Sequence, residues 1–110
     1  MSNYIEINIK EDMPTVSEAM NVLRKYVEGC KRGKCVVIVH GYGSTGKGGA
    51  IREKARQWLM AQQKSGKISK VIKGEELSIF NFDALDLKKK HRELEEYFKV
   101  CNHGITVIEV

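Results

Sequence analysis

VVIVHGYGSTGKGGAIR, residues 36–52, decides the fold. Val36–Val39 is a continuous apolar run, the pattern of a strand buried on both faces, and it stops at His40. Glycines at 41, 43, 46, 48 and 49 then turn the chain. Ile51, Ala55, Trp58 and Leu59 follow at helical spacing. A strand that feeds a glycine-rich turn and then a helix aims unpaired main-chain N–H groups and the positive end of a helix dipole at one spot. An anion such as phosphate is the natural ligand there. Gly41, Tyr42, Gly43, Ser44, Thr45 and Gly46, with Lys47 and Arg52 for mobile charge, are the candidate phosphate-binding residues. His40 is the one group in this stretch that can trade a proton near neutrality, and so the candidate catalytic residue.

Toward the N-terminus, Tyr4–Lys10 alternates. Ile5, Ile7 and Ile9 face one way, while Tyr4, Glu6, Asn8 and Lys10 face the other, as in a half-buried strand. Glu11–Pro14 turns the chain. Thr15 and Glu18 have the spacing of a capping box, and Val16, Ala19, Met20, Leu23 and Val27 form the buried stripe of a first helix that Gly29 or Gly33 ends. Toward the C-terminus, a second helix runs from about Gly49 to Lys64 and stops at Gly66, with Arg52, Lys54 and Arg56 on its exposed side. Ile68–Ile72 reads as a third strand, which Leu77–Phe82 extends or follows as a short strand of its own. Asp83–Val100 places Leu87, Leu94 and Phe98 on one face of a peripheral helix. Asn102–Gly104 is a turn, and Ile105–Val110 is the last strand.

The order β-α-β-α-β-(α)-β describes a single domain over residues 1–110, an α/β fold with a mixed four-stranded sheet. The first three strands, joined by helices, are expected to be parallel, and successive right-handed crossovers put both helices on one face, giving a two-layer α/β sandwich. With an antiparallel last strand, one edge gathers Asn8–Asp12, His40–Gly48 and Asn102–Gly104, outside the carboxyl ends of the parallel strands, where such sheets bind ligands. Asn8 and His103 are the candidate neighbours of His40 at that edge. The central strand is apolar on both faces, so a bare two-layer sandwich would leave one row wet. The 83–100 helix, a second copy of the chain or nucleic acid is expected to cover it.

The chain has 110 residues with 42% hydrophobic and 30% charged, enough for one modest core. No apolar run approaches the roughly 20 residues of a membrane span and no leader pattern opens the sequence, so no membrane partner and a cytoplasmic location are expected. Three cysteines without a CxxC spacing read as reduced thiols. A net charge of +5 favours acidic partners, of which DNA or RNA is the commonest. Gly41–Lys47 also fits GxxxxGK, the first seven positions of the phosphate loop of nucleotide hydrolases. The eighth position, where Ser or Thr would hold magnesium, is Gly48, which makes nucleotide binding the least favoured reading.

With strand, His40-Gly41-Tyr42-Gly43 and helix laid out, the chain resembles the Smr (small MutS-related) domain. Ile38–Arg52, IVHGYGSTGKGGAIR, looks like that family's HGxG-plus-helix signature. The resemblance implies a fold like the C-terminal domain of bacterial translation initiation factor three, binding to structured DNA or RNA and, in several members, endonucleolytic cleavage. The family's first-strand signature LDLHG falls on Ile5–Ile9, where the acidic residue survives as Glu6, the histidine is Asn8 and the glycine is Ile9. Asn8 cannot act as a general base. His103 is the candidate to restore the missing imidazole if it lies close by. Two readings therefore stand side by side: an endonuclease centred on His40, with Tyr42 stacking on an unpaired base, and a nucleic-acid- or protein-binding module without turnover. No cofactor is implied beyond a divalent metal ion for the cleavage reading, and His40, Cys101 and His103 lack a standard ligand spacing. Homo-oligomerisation is left open.

Overall fold

The computed structural model describes residues 4–10, 15–41, 47–76, 82–94, 97 and 103–110. Its strands are β1 (Tyr4–Asn8), β2 (Cys35–Val39), β3 (Lys70–Lys73) and β4 (Ile105–Glu109), and its helices are α1 (Val16–Glu28), α2 (Lys47–Lys64) and α3 (Phe82–Lys90). Single 3-10 turns lie at Gly74–Glu76 and Arg92–Leu94. Thr15 starts α1 with both halves of the expected capping box: the Glu18 amide donates to its hydroxyl and its own amide donates to the Glu18 carboxylate. Gly29 is the C-cap. Helix α2 begins two residues before the expected start, and strand three is shifted toward Lys73. Residues 77–81 lie outside the described part, while Phe82, expected at the end of a strand, is the first residue of α3. The expected 83–100 helix is broken: α3 stops at Lys90, His91 intervenes, and a 3-10 turn follows.

Strand order is β1-β2-β4-β3. β1 and β2 pair in parallel, and β4 is antiparallel to both β2 and β3, so the first three strands share one direction as expected. The last strand is inserted between β2 and β3, in register Val39↔Ile105 and Lys73↔Thr106. The described segments of the three chain regions expected at one edge do meet: the Ile9 amide donates to the Val39 carbonyl, and the His40 amide donates to the Gly104 carbonyl.

Two hydrophobic clusters sandwich the sheet. On one face Ile7, Val36, Ile38 and Ile108 pack against Ala19, Leu23 and Val27 of α1 and Ile51, Ala55 and Leu59 of α2, which completes the two-layer sandwich. On the other, Cys35, Val37, Ile72, Ile105 and Val107 are covered by Ala84 and Leu87 of α3 and by Leu94. The second apolar row of β2 is thus dry, and the cover is the segment after β3. Ion pairs at the amino ends of the parallel strands fasten it: Lys70 lies 2.8 Å from Asp86 and 3.2 Å from Glu109, and Lys90 lies 3.2 Å from Asp86. Burial alone would raise the Glu109 carboxyl, but the hydrogen bond and charge of Lys70 outweigh it and hold the carboxyl below its ordinary range.

Leu87 is the test of this second core because it is fully buried against the sheet. Leu87→Ala is expected to lower stability by about 2–5 kcal/mol through lost burial and an unfilled cavity. Urea unfolding of the two proteins checks it, with the fall appearing in the midpoint rather than in the slope.

Candidate functional site

His40 follows β2 on the same side of the sheet as Val36 and Ile38, under α2, and none of it reaches solvent. Its Nδ1 lies 3.0 Å from the Gly41 carbonyl oxygen. A carbonyl only accepts, so Nδ1 carries the proton and donates. Nε2, 2.8 Å from Thr106 Oγ1, is then the acceptor of the neutral ring, and the Thr106 hydroxyl donates to it. The threonine oxygen in turn accepts from Arg56 Nε at 3.0 Å. A directed chain results: guanidinium to hydroxyl, hydroxyl to imidazole, imidazole to main chain.

Arg56 is the hub of this chain. Its two terminal nitrogens meet the Glu75 carboxylate at 2.9 and 2.6 Å, the fork-to-fork arrangement that makes Arg–carboxylate pairs strong, and one of them also donates to the Ile105 carbonyl at 3.1 Å. The sequence placed Arg56 on the exposed side of its helix. It is corrected here: the guanidinium turns inward along the flank of the Ile51–Ala55–Leu59 stripe, and its side chain is 12% exposed. Burial by itself would raise the Glu75 carboxyl, and the Arg56 hydrogen bonds outweigh that and hold it below the ordinary range.

The expectation that His40 trades a proton near neutrality is also corrected. Burial, aided by the nearby positive charges of Arg56 and Arg52, pushes its pKa down to about 4, against the hydrogen bond to Gly41. At neutral pH it is an uncharged ring with both nitrogens engaged. The amides of His40 and Gly41 are engaged as well, both donating to the Gly104 carbonyl at 3.0 Å. Gly41 therefore contributes shape rather than a free donor. Its φ of +82° lies in the left-handed region, and a Cβ there would sit 2.9 Å from Lys10 Cδ.

Tyr42, Gly43, Ser44, Thr45 and Gly46 lie outside the described residues, as does the side chain of Lys47. What is described is the frame on either side: the anchored His40–Gly41 pair, and α2 starting at Lys47 with no acidic residue in its first turn. Arg52 stands on α2 one turn before Arg56, close enough to oppose protonation of His40, and makes no ion pair with a described residue. Glu6 and Asn8 alternate onto the other face of β1, away from the imidazole. Glu6 accepts from the Tyr97 hydroxyl, and Asn8 Oδ1 caps its own turn by accepting from the Lys10 amide at 3.0 Å. His103 is exposed at the same rim as His40, with Nδ1 3.7 Å from Glu75 Oε2. It therefore lies near the hub of the His40 chain and not in the place of Asn8. Among the described residues no three His, Cys, Asp or Glu side chains stand together as metal ligands, and no helix is long and apolar enough to cross a membrane.

Arg56, Glu75 and Thr106 are the residues that sequence reading missed. Thr106 had a signal, a lone hydroxyl inside the apolar run ITVIEV. Arg56 had one too, adjacent to Ala55 at the border of the buried stripe. Glu75 had none, since an acidic residue after a strand reads as an ordinary turn.

A model of the Smr domain family matches residues 12–75, more than half of the chain. No curated protein and no solved structure matches it.

Two outcomes follow from the chain of hydrogen bonds. Because the folded pKa of His40 is below its unfolded value of about 6.5, the unfolded state binds the extra proton first, and stability falls as pH drops from about 6.5 to 4. His40→Asn should remove up to one proton, about 1.4 kcal/mol per pH unit, from that slope, and the parent's His40 ring should titrate near pH 4 by NMR. Arg56→Lys keeps a charge but loses the fork to Glu75 and the Nε donor to Thr106. It should cost about 2–3 kcal/mol in denaturant unfolding, less than a fully buried pair because Glu75 is 24% exposed.

Proposed function

The chain belongs to the Smr domain family, and on that footing we propose that it is a nucleic-acid-binding module that takes backbone phosphate at the carboxyl edge of its sheet. Members of this family generally bind nucleic acids, and some nick them. The observation that carries the reading here is the Arg56–Thr106–His40–Gly41 chain. It fixes the start of the glycine-rich turn, so that the segment leading to α2 leaves the sheet at a set point and the helix dipole faces the same edge. Arg52, without an ion-pair partner among the described residues, supplies charge beside it. In this reading His40 is a positioning residue, and Tyr42, Gly43, Ser44, Thr45, Gly46 and Lys47 line the phosphate. The net charge of +5 supports the same class of partner.

Cleavage is the second reading, and His103 favours it. This imidazole is solvent-exposed, sits at the same edge and has a carboxylate 3.7 Å away, an arrangement suited to proton transfer at a phosphodiester. A divalent ion would then arrive with the substrate. Incubation with supercoiled plasmid and with structured RNA separates the readings: cutting by the parent that His103→Ala abolishes makes the protein an endonuclease, and intact substrates leave a binding module.

Binding is tested by anisotropy of a labelled hairpin over a range of salt. Arg52→Ala should weaken binding several-fold and reduce the slope of log affinity on log salt by about 0.9, the share of one phosphate. Absence of binding by the parent at low salt sinks the proposal.

A further inference from the structure

The run Lys88-Lys89-Lys90-His91-Arg92 holds one sign of charge in sequence, but the structure divides it. Lys90 is drawn to Asp86 at 3.2 Å and to Glu109 at 3.7 Å, and His91 is buried with Nε2 3.5 Å from Glu109. These two belong to the latch that fastens α3 to the sheet. Lys88, Lys89 and Arg92 take no part in it. All three are exposed, and none pairs with a described anion. Asp86, the carboxylate that would otherwise neutralise this side of α3, is turned to Lys70 at 2.8 Å.

The three cations and Leu85 line an open groove of about 550 Å³. Phe82, Leu85 and Lys89 fall on one stripe of α3, opposite the buried Ala84 and Leu87. Phe82 is 79% exposed and Leu85 39%. Complementing the helix dipole explains positive charge in the last turn. It does not explain an exposed leucine among those cations, or an exposed aromatic ring two turns earlier on the same stripe. Cations and an exposed aromatic along one helix are a combination that holds a strand of nucleic acid, through phosphate contacts and a surface on which a base can lie. This surface also lies beyond residue 75, where the family match ends, and on the face of the sheet opposite α1 and α2.

We propose that Phe82, Leu85, Lys88, Lys89 and Arg92 form a second nucleic-acid contact surface, separate from the glycine-rich turn. The proposal rests on the nucleic-acid reading above and extends it: one ligand, long enough to pass the sheet, meets two basic surfaces. The longest dimension of the molecule is 35 Å, about ten base pairs at ~3.4 Å each, so a hairpin stem of about that length with a single-stranded tail is the suitable probe.

The experiment measures anisotropy of that labelled hairpin, as DNA and as RNA, from roughly 50 to 200 mM salt. It compares the parent with the triple variant Lys88→Ala/Lys89→Ala/Arg92→Ala. The altered side chains are on the surface, and an unchanged unfolding midpoint verifies that the fold is kept. At low salt the triple variant is expected to bind at least tenfold more weakly, with a slope on log salt shallower by about 2–3. Binding equal to the parent's, with the same slope, overturns the second surface and leaves the proposed function standing. A parent that binds neither hairpin overturns both. A triple variant that keeps its hold on the hairpins but loses affinity for polyglutamate overturns the proposal in favour of an acidic protein partner.

Discussion

A guanidinium taken out of water is stable only if its donors are met, and the way Arg56 meets this requirement organises the carboxyl edge of the sheet. Its partners come from separate parts of the chain: Glu75 after β3, Ile105 and Thr106 on β4 and, through Thr106, His40 at the end of β2. Arg56 itself is on α2. One side chain thus ties three strands and a helix together where the glycine-rich turn departs. The direction of every proton in the chain follows from the fact that a guanidinium only donates and a carbonyl only accepts.

That constraint bears on the histidine of the HGYG stretch. A base must be reachable and must be able to hold a proton at working pH. His40 is buried, engaged at both nitrogens and held neutral. The ring joins the buried network to Gly41, whose φ is left-handed. The exposed imidazole at this edge is His103, brought there by the turn before β4 and standing beside the same glutamate that holds Arg56.

The segment matched by the family does not close a sheet by itself. β4 lies beyond residue 75, yet it sits between β2 and β3 and supplies Thr106 and the Gly104 carbonyl. α3 also lies beyond it and makes the second apolar face dry. The ion pairs of Lys70, Asp86, Lys90 and Glu109 hold α3 at the end of the sheet away from His40. Two buried or half-buried polar clusters, one at each end of β4, therefore set the register of the added segment against the matched one. A slip by one residue would bring Glu109 into the α1–α2 core and Thr106 out of reach of Arg56.

Local pattern was enough for much of this. Alternation at Tyr4–Lys10, the capping box at Thr15, the apolar run of β2 and the helical stripe at Ile51–Leu59 each encode their element within a few residues, because strand and helix periods are local properties. The need for a cover over Val37 was legible too, since an apolar row cannot stay wet. Two things were decided only in three dimensions. The break at His91 and the division of the lysine run depend on Glu109, which arrives from a strand 18 residues away. The sealing of His40 depends on Thr106 and Arg56, 66 and 16 positions further along the chain. A hydrogen bond has no sequence signature when its partners are brought together by the sheet, so the sequence determined only that a glycine-rich stretch follows β2. Only the tertiary structure decided that the histidine before it is an anchor.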